Sequence, residues 1–296
     1  MTQTATSPER IGFIGLGVMG RPMAGHLLAA GYPLSVWGRR PDSTAPLVAQ
    51  GAQGAATPAA LGRQADIVFT VVTSGNDVKN VVLGPDGLIE GLAPGSVVVD
   101  MSTIAPGDAR EIATALAAKG IAFLDAPVSG GEQGAINATL AIMAGGEAAV
   151  LERVKPLFLT LGKTVVHVGG NGAGQVAKAC NQMIMVAAIQ AAAEAMRLAA
   201  AQGVDTARVR QALMGGSAGS RVLEVMGERM VKRDFSAGIE ARLHHKDFGI
   251  LLAEAHALGV PLPVAAQVGQ QLNALMGQGM DKDDTSSLLR VLESQG

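Results

Sequence analysis

Ile11-Gly12-Phe13-Ile14 runs directly into Gly15-Leu16-Gly17-Val18-Met19-Gly20, and an apolar helical pattern follows. An apolar strand, a G-x-G-x-x-G turn and a helix start, in that order, open a dinucleotide-binding unit. Each glycine has a physical task there. Gly15 permits the tight turn, Gly17 lets the backbone approach a pyrophosphate, and Gly20 lets the helix pack against the strand. The phosphates would face unpaired N–H groups at the positive end of the helix dipole, with Leu16, Val18 and Met19 completing the loop. Gly-rich turns are common; the flanking strand and helix give this one its meaning.

Strand-like and helical segments go on alternating through the first half, with apolar runs at 11–14, 34–37, 67–72, 96–100, 121–124 and 164–168. Leu34-Ser35-Val36-Trp37, Ile67 to Val72 and Val97-Val98-Val99-Asp100 read as buried parallel strands. A helix is expected over 108–119, beginning near Asp108 and stopping at Gly120. This rhythm predicts a Rossmann-type doubly wound sheet, with ligand at the carboxyl ends of the strands.

The pattern changes at Gly169-Gly170-Asn171-Gly172-Ala173-Gly174. From Gln175 to Gln202 there is neither Gly nor Pro. One helix of about 28 residues, roughly 40 Å long, is expected. A membrane span is the rival reading, but Lys178, Asn181, Gln182, Gln190, Glu194 and Arg197 interrupt the apolar run. Segments 204–214, 220–232, 240–258, 263–277 and 285–294 also read helical. The fold class is therefore α/β: an N-terminal doubly wound sheet plus an all-α C-terminal domain, joined by a long interdomain helix. The expected organisation is a flexible tail over 1–10, a nucleotide-binding domain over 11–168, and a helical substrate and oligomerisation domain over 169–296.

Composition narrows the partners. A chain of 296 residues exceeds the usual single-core size. With 48% hydrophobic and 16% charged residues it supports large cores and a subunit interface, hence an expected homodimer or homotetramer. A net charge of −2 argues against nucleic acid or an anionic membrane. Cys180 is the single cysteine, which excludes an intrachain disulfide and fits a reducing compartment; residues 1–10 do not read as a secretory signal, so the expected location is cytoplasmic.

The end of the second strand selects the cofactor. A unit reading NAD places an acidic residue there for the ribose 2′-hydroxyl, whereas this chain has Gly38-Arg39-Arg40-Pro41. Arginine offers a planar fork suited to a 2′-phosphate, so NADP(H) is expected to be preferred over NAD(H). Asp42 comes two residues too late.

Two further segments carry chemistry. The first, Asp125-Ala126-Pro127-Val128-Ser129-Gly130-Gly131, offers a hydroxyl and close-packed N–H groups to a carboxylate. In the second, Gly172 to Gln182, Lys178 and Asn181 are three apart and share a helix face, with Gln182 alongside. A lysine among Ala, Met and Val is costly to bury without a role.

These motifs resemble the β-hydroxyacid dehydrogenase family, related to 3-hydroxyisobutyrate dehydrogenase, over residue 10 to about 292. They comprise GLGVMGRPMA, Asp100 to Pro106 (DMSTIAP), DAPVSGG, GAGQVAKACNQ and Lys246-Asp247. The resemblance implies that Lys178 is the general acid/base, that Ser129, Gly130 and Gly131 bind the substrate carboxylate, and that Asn181 and Gln182 hold substrate. It places Thr103 and Lys246 on the cofactor side. For base work the lysine must titrate below its ordinary value near 10.4. Ala138 departs from the pattern, standing where the family usually has Gly before Thr139-Leu140.

Within the family, Met214 to Ser220 and Asp234 to Asp247 look most like 2-hydroxy-3-oxopropionate (tartronate semialdehyde) reductases, with 3-hydroxyisobutyrate dehydrogenases second. Two rivals are an imine reductase-like enzyme, which usually lacks the lysine, and a non-catalytic nucleotide-binding scaffold. No metal is expected: His244-His245 lacks the i, i+4 spacing of a helical metal pair. Cys180 is expected to pack, and His26 and His256 to lie on helix surfaces.

Overall fold

The structure is a computed structural model that describes residues 9–294. Two compact units divide between Lys178 and Ala179.

The first unit opens with β1 (Ile11–Ile14), the Gly-rich turn and α1 (Gly20–Ala29). β2 (Leu34–Trp37), α2 (Ala45–Val48), β3 (Gln53–Gly54), α3 (Pro58–Gly62), β4 (Ile67–Thr70) and α4 (Gly75–Leu83) follow. Then come β5 (Val97–Asp100), α5 (Pro106–Ala117) and β6 (Ala122–Asp125). Six strands pair in parallel in the order β3-β2-β1-β4-β5-β6. The order reverses between β1 and β4, so a switch point lies at the carboxyl end of β1, where the Gly-rich turn sits.

Strands β1, β4 and β5 are buried along their whole length, as expected of a sheet covered on both faces. One face packs Phe13, Met23, Leu27, Phe69 and Phe158. Phe13 stacks on Phe69 at 5.9 Å between centroids, and Phe158 meets Phe69 edge-on at 6.1 Å. The other face packs Ile14, Leu61, Val68, Val98, Ile112 and Leu116.

Three strands are not evident from the apolar runs: β3, β7 (Val128–Ser129) and β8 (Leu140–Gly145). α6 (Gly131–Ile136) lies between the last two, and α7 (Ala148–Phe158) leads into β9 (Gly162–Gly169). β8 is antiparallel to both β6 and β7, and β9 is parallel to β8, so the sheet is mixed at this end. The expected strand 67–72 stops at Thr70, since Val72 gives its N–H to the Ser102 hydroxyl (2.9 Å) rather than to a strand. The helix expected from Asp108 starts at Pro106, whose missing N–H suits a first turn.

Of the expected tail, residues 1–8 lie outside the described residues. Arg10 is held by Asp66 at 2.6 Å and Glu9 by Arg153 at 2.8 Å.

α8 (Ala173–Ala201) has 29 residues. It leads into the second unit, where α9 (Thr206–Met214), α10 (Arg221–Lys232), α11 (Ala241–Leu258), α12 (Pro263–Gly277) and α13 (Leu288–Glu293) follow. Val186, Ile189 and Met196 pack with Phe248, Leu272, Leu275 and Leu288. α8 is long and apolar enough to cross a membrane, with a mean hydropathy of 1.4 over its best window. Its buried face is, however, part of this helical core. Asp205 and Ser220 cap α9 and α10 by accepting first-turn N–H groups.

Candidate active site

The Gly-rich turn separates glycines needed by the fold from one needed by a ligand. Gly15 holds φ +94°, and a Cβ there would fall 2.0 Å from the Val71 carbonyl oxygen. A Cβ on Gly20 would fall 1.8 Å from the Gly15 oxygen. At Gly17 a Cβ would meet no protein atom within 4 Å, and Val18 beside it is exposed. Packing of the chain does not demand glycine at Gly17; an approaching pyrophosphate does. Met19 caps α1 without a side-chain hydrogen bond; Arg21 gives its N–H to the Gly17 carbonyl and Pro22 has none, so the Gly20 amide is the first-turn donor that faces an anion. The loop therefore fits a dinucleotide.

Arg39 and Arg40 follow β2 on the surface. Arg39 Nη1 donates to Asp77 Oδ1 at 3.2 Å, joining the end of β2 to the first turn of α4. Asp77 itself is fixed by Ser74, whose hydroxyl donates to its other oxygen at 2.7 Å. Asp77 has no place in the sequence reading, because it is distant in the chain and looks like an ordinary first-turn acid.

A buried polar network underlies the carboxyl ends of β5 and β6. Asp100 Oδ1 accepts from the hydroxyls of Thr70 (2.7 Å) and Ser102 (2.6 Å). Burial pushes the Asp100 carboxyl up to about 6, against the lowering effect of these hydrogen bonds. Asp125 accepts the N–H groups of Gly172 (2.7 Å) and Gln175 (3.0 Å), so its carboxylate caps the start of α8. Burial raises this carboxyl as well, and those backbone donors oppose the rise.

Lys178 lies one turn further along α8 and is 8% exposed. Its Nζ donates to the Val128 carbonyl oxygen at 2.9 Å, next to Ser129. Ser129 pairs with Ala141 in the β7–β8 ladder, while Gly130 (φ +139°) and Gly131 (φ +62°) take conformations natural to glycine. Lys178 and the Ser129-Gly130-Gly131 loop are thus neighbours, although about fifty residues separate them in the chain. Thr103 follows Ser102 in the loop after β5 and is half-buried. Ala138 holds φ +51°, where an L-residue is strained by roughly 1–2 kcal/mol, which is the physical reason for a glycine there.

The second unit assembles its own polar chain. Asn181 Nδ2 donates to Gln182 Oε1 (2.9 Å), and Gln182 Nε2 donates to Asp247 Oδ2 (2.6 Å). Lys246 Nζ lies 3.1 Å from Asp247 Oδ1, at ion-pair distance but outside hydrogen-bond geometry. Asp247 thereby joins Lys246, expected on the cofactor side, to Asn181 and Gln182, expected on the substrate side. His244 is buried against the Thr285 hydroxyl at 2.7 Å, and His26 Nε2 sits 3.0 Å from the Ile136 carbonyl oxygen, in place of a plain surface position. Cys180 is exposed rather than packed. Among the described residues no cluster of three or more His, Cys, Asp or Glu could hold a metal.

Residues 10–170 match the family model for the NAD binding domain of 6-phosphogluconate dehydrogenase. Residues 172–292 match that for the NAD-binding segment of NADP-dependent 3-hydroxyisobutyrate dehydrogenase. The 2-hydroxy-3-oxopropionate reductase of Escherichia coli K12 is 44% identical over 284 residues, covering 96% of this chain and 97% of that protein. The chain belongs to the 3-hydroxyisobutyrate dehydrogenase family. As a β-hydroxyacid dehydrogenase it is an NAD(P)-dependent oxidoreductase acting on hydroxyl groups. Another member, the NAD-dependent L-serine dehydrogenase of Pseudomonas aeruginosa, is 38% identical over 292 residues (96% of this chain, 98% of that protein). The Mycobacterium tuberculosis 3-hydroxyisobutyrate dehydrogenase structure with L-serine superposes at a TM-score of 0.89, with 29% identity, covering 97% of this chain and 99% of that one.

Proposed function

We propose that this β-hydroxyacid dehydrogenase works with NADP(H) on a small carboxylate-bearing substrate, and that the substrate is 2-hydroxy-3-oxopropionate. The observation that carries the reading is the Lys178 ammonium placed against the Val128 carbonyl, beside the Ser129-Gly130-Gly131 loop. Bound nicotinamide would supply or accept the hydride. Lys178 would protonate the developing alkoxide in the reductive direction and take the hydroxyl proton in the oxidative one. The Ser129 hydroxyl and the amides of Gly130 and Gly131 would hold the carboxylate. Asn181 and Gln182 would hold the remainder of the substrate, with Thr103 and Lys246 on the cofactor side.

NADP(H) over NAD(H) is favoured by Arg39 and Arg40 where a 2′-hydroxyl reader would be acidic. In this reading residues 11–168 bind the cofactor, residues 169–296 serve substrate and assembly, and the enzyme works in the cytoplasm. Similarity to the E. coli reductase supports the substrate; 3-hydroxyisobutyrate is the second choice, supported by the second family model.

The test is a panel of C3–C4 β-hydroxyacids and semialdehydes assayed with NADPH and NADH. On the best substrate, Lys178→Met should lower kcat by about 10²–10⁴-fold and leave NADPH binding intact. Ser129→Ala should mainly raise KM, since a carboxylate contact serves ground and transition states alike. Near-normal turnover of Lys178→Met from about pH 6 to about pH 9 would move the proton role to Lys246.

A further inference from the structure

We infer that Gln175 is a positioning residue that locks the Thr103 loop to the turn of α8 carrying Lys178. Its side chain is 1% exposed. The carboxamide oxygen accepts the Ile104 N–H at 3.1 Å, and the carboxamide nitrogen donates to the Ser102 carbonyl oxygen at 2.8 Å. These two backbone groups flank Thr103. One side chain therefore clamps the loop on both sides of the residue assigned to the cofactor side.

Both ends of the clamp are anchored. Ser102 is held by Asp100 through its hydroxyl (2.6 Å), and that same hydroxyl accepts the Val72 N–H (2.9 Å). The Gln175 backbone N–H is held by Asp125 (3.0 Å), whose other oxygen takes the Gly172 N–H (2.7 Å). Space around this anchor is closed: a Cβ on Gly174 would fall 2.3 Å from the Met143 carbonyl oxygen. Lys178 is three residues beyond Gln175 on the same helix, so its Cβ is about 5–6 Å from that of Gln175. Hydride and proton must arrive at neighbouring atoms of one substrate, and a misplacement of about 1 Å costs about 10²-fold in rate. Gln175 touches neither reacting group; it fixes where they stand.

The clamp requires a group that donates and accepts at once. Glutamine does so at every pH. A glutamate ionised at this position accepts from Ile104 but sets a charged oxygen against the Ser102 carbonyl, whereas its protonated form restores both bonds. Burial beside Asp100 and Asp125 would raise such a carboxyl, while Lys178 one turn on and the positive end of α8 oppose the rise, so its titration is read as a pH profile relative to wild type. Gln175→Met keeps the volume and loses both bonds.

The inference rests on the roles proposed for Lys178 and Thr103, and the experiment separates the two. Amide hydrogen exchange is first measured on the cofactor-free full-length enzyme. Gln175→Met should speed exchange at Ile104 and leave Gly172, held by Asp125, unchanged. Steady-state kinetics with deuterated nicotinamide then read the effect on transfer. Gln175→Met should lower kcat by about 10²-fold with a larger primary isotope effect and little change in the KM for cofactor. Gln175→Glu should regain activity as pH falls, relative to wild type.

Unchanged exchange at Ile104 would overturn the clamp. Faster exchange with wild-type kcat and isotope effect would overturn the positioning role. Should Gln175→Met fail to fold, the acid-side gain of Gln175→Glu decides, and its absence overturns the proposal. Normal turnover of Lys178→Met would instead remove the proposed chemistry and leave the exchange result standing.

Discussion

Asp100 and Asp125 are register partners at the carboxyl ends of adjacent parallel strands, and both are fully buried. Hydroxyl and backbone amide donors are the groups that hold these two acids. Asp100 manages this incompletely: burial is its largest influence, and its Oδ2 has no hydrogen-bond partner.

A pH signature follows from that imbalance. The folded carboxyl of Asp100 sits at about 6, above its ordinary 3.8, so the native state holds this proton more tightly than the unfolded chain does. Its contribution to stability is complete below about pH 4 and lost as pH rises through about 6. Asp100→Asn keeps an oxygen for Thr70 and Ser102 and removes the titration. Urea midpoints compared between about pH 4 and about pH 7 should show a flatter profile for the variant, by at most about 3 kcal/mol. Parallel profiles would assign the pH dependence elsewhere.

Cofactor choice should depend on Arg39. Arg39→Asp is expected to raise the apparent KM for NADPH while changing that for NADH far less. Because Arg39 is held by Asp77 at 3.2 Å, Asp77→Asn should free the guanidinium and lower the NADPH KM. Equal losses with both cofactors in Arg39→Asp would show that the arginine does not read the phosphate.

Assembly is testable by mass. Ile184 and Leu198 of α8 are 67% and 65% exposed, and Val264 of α12 is 62% exposed. Between these helices runs a groove of about 500 Å³ lined by Ala187, Gln190, Ala191, Val264 and Val268 among others. Apolar surface of this kind is expected to be covered by a second copy, giving a dimer or tetramer by light scattering at micromolar concentration. A monomer mass would end that expectation.

Much of the scaffold could be read directly because its signals are local. The Gly-rich turn, the strands 11–14 and 34–37, and the helices from Gln175 onward announce themselves through periodicity and through Gly and Pro at their ends. β8 is hidden because Leu140-Ala141-Ile142-Met143-Ala144-Gly145 is built mostly of Leu, Ala and Met, which favour helix, with Ile142 as its single β-branched residue. Side-chain partnerships across the chain were equally invisible. Nothing near Gln175 in sequence announces Ser102 or Ile104, which lie about seventy residues away. One signal for such partnerships does lie in the sequence: Val97-Val98-Val99-Asp100 and Phe123-Leu124-Asp125 each end an apolar strand on an acid, and such an acid needs donors waiting for it.

The join between β6 and β8 has a mechanical meaning. β5 and β6 share four register pairs, whereas β6 and β8 share one, Asp125 with Gly145. The sheet therefore has a seam. Local opening of the sheet is expected to start at this join, where the backbone ladder is thinnest, although Asn171 and the core shared by Leu124 and Ile142 also hold it. The cofactor half is more tightly joined, with four register pairs at each join from β2 through β1, β4 and β5 to β6. Asp125 is the stitch in that seam: its backbone pairs with Gly145 while its carboxylate ties down the start of the helix that carries Lys178.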